Sequence, residues 1–375
     1  MKKLITLILI VFIAFSGIVF ASDLFSGDIS LRSMYSKGME NHLPVVTSNL
    51  NLDISHGNWT SGFYFDLDIN TNLSNSNLSI NVGEVYIDYY GDDFEITAGR
   101  QRITWGTALN FNPTDNLNPQ SPGGLFAEKK PVMMLNGKYY INRTYHAEIA
   151  AIPFHVPSMK VIQLPNDMTL EPEQVAPEFS NMEFAVKFAG RGVSGFDFSL
   201  SYFRGFEDTP WVNYKQTPQG PVPEDAYYRR YSVLGFDMAT TIYDAGLWLE
   251  GAYMIPENGD NYYGIVIGSD YKLSNNLYIE GQLIHQKNQM QFSNTLLQAS
   301  LEKPFADIHK TSLGFVFNPE MGGFLISPEV EFSLADATTL QARFQYKHGE
   351  LFKNGAQNMM IPDGWQLEAN LKYAF

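Results

Sequence analysis

Two arginines, Arg100 and Arg102, stand ahead of a tryptophan and a long turn-rich run in "GRQRITWGTALNFNPTDNLNPQSPGGLFAEKKP" (99–131), with Asp115 in its middle. Fixed cations facing carboxylates do electrostatic work on passing solutes, by attraction, repulsion and selection of sign. Asp66, Asp68, Glu84, Asp88 and Glu95 supply carboxylates nearby, and Lys138 and Arg343 supply further cations. Covalent chemistry finds no comparable set. No G-x-S-x-G elbow and no H-E-x-x-H pair occurs, and the seven histidines lack ligand spacing. The acidic turn "GDDFE" (91–95) does not follow the ligand order of an EF-hand loop. The chain is expected to be no enzyme, with neither cofactor nor metal.

The elements that must position these residues are strands. In "FYFDLDIN", Phe63, Phe65, Leu67 and Ile69 share one parity while Tyr64, Asp66, Asp68 and Asn70 share the other. The same period of two runs through "EVYIDYY", "FDFSLSYF", "LWLEGAY", "LYIEGQL" and "LQARFQYK" to the closing "GWQLEANLKYAF". Period two is the mark of a strand with unlike faces, and no helical period competes with it. The class is all-β.

Connection lengths separate a sandwich from a barrel. Tight turns at "HGN", "YGDD", "INRT", "YDAG", "LSNN" and "LADAT" alternate with long connections at 106–131, 155–180, 206–228 and 349–362. Alternation over about 18 strands (16 being possible) puts all tight turns at one end. That is the layout of a single transmembrane antiparallel β-barrel with short periplasmic turns and long extracellular loops. The apolar parity then faces lipid and the polar parity a lumen, because a bilayer tolerates strands only when every backbone group is paired within a closed wall. Two irregularities are expected. A bulge at Gly99 would turn Arg100 and Arg102 into the lumen and Ile103 and Trp105 outward, the alternative being that the arginines snorkel to the outer interface. Pro328 would need a bulge of its own.

The N-terminus, Lys2 and Lys3 followed by an apolar run and "VFA", reads as a secretory signal over 1–21, cleaved after Ala21, with one barrel over 22–375. Without it, 23 basic residues face 40 acidic ones, which disfavours nucleic acid as a partner. No cysteine is present, so neither disulfides nor thiolate ligands contribute.

The RQ-x-x-x-WG and NPTD-x-x-NP pieces within 99–131 resemble porin-like outer-membrane proteins in the neighbourhood of carbohydrate porins and alginate-export barrels. The last strand, ending on Phe375, resembles the terminal signature of bacterial outer-membrane barrels, which the assembly machinery reads in that family. The resemblance implies an outer-membrane location, lipid and that machinery as partners, and passage of small hydrophilic solutes or ions, with a homo-oligomer possible. Arg100, Arg102, Asp115, Glu84, Asp88, Glu95, Asp66, Asp68, Lys138 and Arg343 are the expected lining or constriction residues, with the 106–131 loop in the mouth. The alternative is a structural or adhesive barrel with a closed lumen, whose Pro-rich loops 155–180 and 206–228, carrying aromatics such as Trp211, bind a surface partner.

Overall fold

The computed structural model describes residues 25–37, 45–72, 77–121, 129–163, 169–218, 220–353 and 363–375. The expected signal and parts of the long connections, Pro122 among them, lie outside the described residues. The first strands are β1 (Phe25–Ser36), β2 (Val45–Gly57), β3 (Ser61–Asn72), β4 (Asn77–Tyr90), β5 (Phe94–Gln101), β6 (Val132–Tyr140) and β7 (Tyr145–Ile152). The outside connection after β7 carries the short pair β8 (Ile162–Gln163) and β9 (Thr169–Leu170). The wall resumes with β10 (Glu183–Val193) and β11 (Phe196–Phe206), and the next connection holds a hairpin of β12 (Trp211–Thr217) and β13 (Gly220–Tyr227). It ends with β14 (Arg230–Ile242), β15 (Ala245–Pro256), β16 (Tyr262–Lys272), β17 (Tyr278–Lys287), β18 (Ser293–Phe305), β19 (His309–Phe317), β20 (Phe324–Ala335), β21 (Thr338–His348) and β22 (Gly364–Ala374).

Eighteen of these form one antiparallel sheet, and pairing of β1 with β22 closes it. Mutual 2.9 Å backbone bonds between Gly27 and Phe375 finish the seam. A closed wall has no free edge at the seam, so the terminal strand needs no further partner there. The burial is inverted relative to a soluble protein. Ile87, Ile149, Leu200 and Ile267 are more than half exposed on the outer face, whereas Asp66, Glu148 and Glu250 are buried inside. Among the described residues, no helix is long and apolar enough to cross a membrane.

Two local expectations need correction. No register shift occurs at Gly99, where β5 keeps step with both β4 and β6. Nor does Pro328 force a bulge, since Ile326–Tyr346 and Glu329–Arg343 share one register across it. A missing N–H removes one ladder bond and leaves the count of residues unchanged. The strand β5 itself ends at Gln101, because Asn118 takes over its ladder. The Asn118 side chain donates to Gln101 O at 3.0 Å and accepts from Ile103 N at 2.8 Å.

A bulge does sit between β3 and β4, where Phe65 pairs with Val85 and Leu67 with Val82. Its cause is legible in "LSINVGEVYI": the apolar residues switch parity from Leu78, Ile80 and Val82 to Val85 and Ile87. The extra residue keeps both sets on the lipid side and turns Asp66 and Glu84 to the lumen.

Candidate functional site

Past Gln101 the chain leaves the wall and runs inside the barrel, and one buried carboxylate holds it there. Glu250 of β15, with no exposed surface, accepts from Thr107 N at 2.8 Å and Ala108 N at 2.9 Å on one oxygen. Its other oxygen accepts from Thr114 N at 2.9 Å and Thr114 Oγ1 at 2.8 Å. Four donors offset the cost of taking a carboxylate out of water. Gly106 has φ +95°, and a Cβ there would collide with both oxygens of Glu250. On β17, Gln282 exchanges two bonds with the backbone of Leu109.

Apolar packing fixes the segment on either side of this clasp. Trp105 and Leu117 pack on Val132, Met134, Ile152, Phe203 and Val233 of the wall. Ala108, Leu109 and Phe111 pack with Trp248, Val266, Ile284 and Leu296, beneath Leu351 and Phe352 from the last outside connection. Each large side chain so buried contributes about 1.5–3 kcal/mol. Trp105, whose ring lies inside the lumen and not in an outer girdle, donates to Glu148 at 3.2 Å, and Lys187 lies 4.6 Å over it.

The segment therefore covers one side of the lumen. The wall from β20 through β22 and β1 to β4 keeps many of its inner polar side chains partly exposed, among them Glu329, Glu331, Arg343, Glu368, Asn51 and Asp53, while Asp66 and Lys347 are buried. Arg343 pairs with Glu329 and Arg32 with Glu368.

The expected lining residues divide. Asp66, Asp68, Glu84, Asp88, Glu95, Lys138 and Arg343 stand on inner registers. Arg102, just past β5, lies against Asp66 at 3.7 Å and Glu84 at 3.5 Å, and its amide donates to Glu84 at 2.5 Å. Arg100 does not join it. With no bulge at Gly99, Arg100 pairs across to Val85 and Met133 on the outer face. Asp115 is a loop fastener, 6% exposed, 3.5 Å from Lys129, whose ammonium also donates to Asp115 O at 2.6 Å. Burial pushes the Asp115 carboxyl above its ordinary range while Lys129 pulls it back.

Sequence reasoning missed Glu250, Gln282 and Asn118 as anchors. A signal for the covered wall was present: "GIVIG" (264–268), "LI" (283–284) and "LL" (296–297) are apolar on both parities, as strands buried on both faces are. Above the barrel, Arg229 makes two 2.7 Å bonds to Glu207 and stacks 4.2 Å over Trp211. Trp211 is therefore half-buried under a guanidinium, and not a free aromatic.

No family model and no curated protein matches the sequence. Solved structures do match in shape. OccK5 (OpdH) of Pseudomonas aeruginosa aligns with a TM-score of 0.59 at 9% identity, over 94% of this chain and 97% of that one. The outer-membrane protein opdK of the same organism gives 0.56 at 10% identity, over 95% and 100%. Wzi of Escherichia coli, described as a carbohydrate-binding β-barrel involved in group 1 capsule assembly, gives 0.56 at 9%, over 96% and 86%. At such identities the likeness speaks for fold alone, and with the closed 18-stranded wall it makes this chain an outer-membrane-type β-barrel.

Proposed function

We propose that the protein is an exported outer-membrane channel, released from its signal after Ala21, that lets small hydrophilic solutes or ions diffuse passively past a constriction. The observation that carries this reading is the fastening of the 102–121 segment into the lumen by Glu250 while the β20–β4 side of the wall keeps many of its polar residues partly exposed. Barrels of 16 to 18 strands are wide enough to hold water beside such a segment. Arg102 and Glu84 face the remaining passage, with Asp66 buried behind Arg102, and the inner acids outnumber the inner bases, which favours cations. The barrel lipid contacts, the reading of the last strand by the assembly machinery, and any association of barrels belong to the same proposal.

Single-channel recording in a planar bilayer under a salt gradient tests it. Stable conductance steps with a cation-selective reversal potential are expected. A folded barrel that gives no steps would overturn the channel and favour the partner-binding alternative.

A further inference from the structure

The lumen face of β2–β4 is rich in acceptors and short of donors. Asp53 and Asp66 stand directly opposite each other on β2 and β3. Asp66 is 3% exposed; Arg102 reaches one of its oxygens, and the other, Oδ1, has no hydrogen-bond partner among the described residues. The side-chain oxygens of Asn49 and Asn51, on the same face of β2, are buried and unpartnered as well. A buried acceptor without a donor costs on the order of 1–3 kcal/mol, more for a charged one, so an aligned set of them marks the place of a ligand that brings donors.

Beside this row lie π faces. Tyr64 donates to Asp53 at 2.5 Å and stacks on Tyr86, ring centroids 5.2 Å apart. The pair borders a cavity of about 580 Å³ at the periplasmic end, whose wall also includes Ser55, Asp88 and Tyr90. Among the described residues no cluster has the compact geometry of a metal chelate. The acceptors are instead spread along strands, repeating about every 6–7 Å on one face and about 4.8 Å between neighbours. A ligand with several N–H donors spaced along an extended apolar chain fits that spacing and can rest its methylenes and ammonium groups on tyrosine rings.

We infer that the Asn49–Asp53–Asp66 row with Tyr64 and Tyr86 is a binding site for linear aliphatic diamines and oligoamines. Ammonium groups separated by four methylenes match the same-face repeat of a strand, one reaching the orphaned Asp66 oxygen and the next the asparagine oxygens. The proposal rests on the channel reading only for the route by which the amine arrives.

The test is a titration of the purified barrel in detergent with 1,4-diaminobutane, read by calorimetry, against calcium as a probe of equal charge. Binding at least tenfold tighter than calcium is expected, weakened at least tenfold by Asp66→Asn. Asp53→Asn, expected to do the same, covers failure of the first variant to refold. Glu302→Gln, an inner carboxylate on β18 far along the wall, should bind as the parent does. Calcium binding as tightly as the diamine, or unaltered diamine affinity in both aspartate variants, would overturn the site. Diamine binding by a barrel that never conducts would sink the channel and leave this inference standing.

Discussion

Glu250 and Thr114 are 136 positions apart in the chain, yet the carboxylate accepts both the amide and the hydroxyl of Thr114 on a single oxygen. With Thr107 and Ala108 on the other oxygen, this contact fastens the 102–121 segment inside the barrel.

Glu250→Ala removes the acceptor for four donors, each such bond to a charged group being worth about 1.5–3 kcal/mol net. The expected outcome is larger, noisier single-channel conductance and new protease cleavage within 103–118. Glu250→Gln, keeping one acceptor oxygen, should fall between. An unaltered conductance in the alanine variant would show that the segment does not limit flow.

Gly106→Ala should destabilise the same clasp from the loop side. Its φ of +95° disfavours any side chain, and the new Cβ meets the carboxylate. A loss of about 1–3 kcal/mol is expected, seen as a lower temperature for the gel-mobility shift on barrel unfolding. An unshifted transition would mean that the clasp relaxes at no cost.

Arg100 and Arg102 should behave differently. Arg102→Ala removes the cation between Asp66 and Glu84, so the reversal potential moves further toward cations. Arg100→Ala, on the outer face, should leave the reversal potential where it was. Equal shifts from both would place the two side chains on one face and contradict the register.

The loop layer should tighten in mild acid. Asp208, partly exposed between β11 and β12, is pushed up to about 6 by burial, against the pull of Lys129 and His155. Its folded value lies above its unfolded one, so its protonated form is favoured by folding. The contribution of this group to stability is then greatest below about pH 4, falls as pH rises toward 6, and stays reduced above that. After allowance for partial exposure the effect is about 1–2 kcal/mol. Fewer open-channel fluctuations are expected at pH 5 than at pH 7.5, and Asp208→Asn should abolish the difference. A persistent difference in that variant would assign the effect to another group.

The alternation of Trp365, Leu367, Ala369 and Leu371 with Gln366, Glu368 and Asn370 already contains the wall, because a strand between lipid and lumen must obey period two. Turn residues at the tight connections likewise fixed the number of strands and which ends are short. Even the β3–β4 bulge was legible in the parity switch between Val82 and Val85. The course of 102–121 was not. Its proline- and asparagine-rich composition suits a surface loop as well as an inward one, and the choice depends on Glu250, Gln282 and the doubly apolar strands meeting it across the barrel. The same holds for Arg102 and Asp115, which lie past the end of β5, whereas Arg100 keeps the outward parity of Phe94, Ile96 and Ala98. Period two is a local rule, written in neighbouring residues, whereas the placement of an inserted segment depends on partners more than a hundred positions away that only closure of the barrel brings within hydrogen-bond reach.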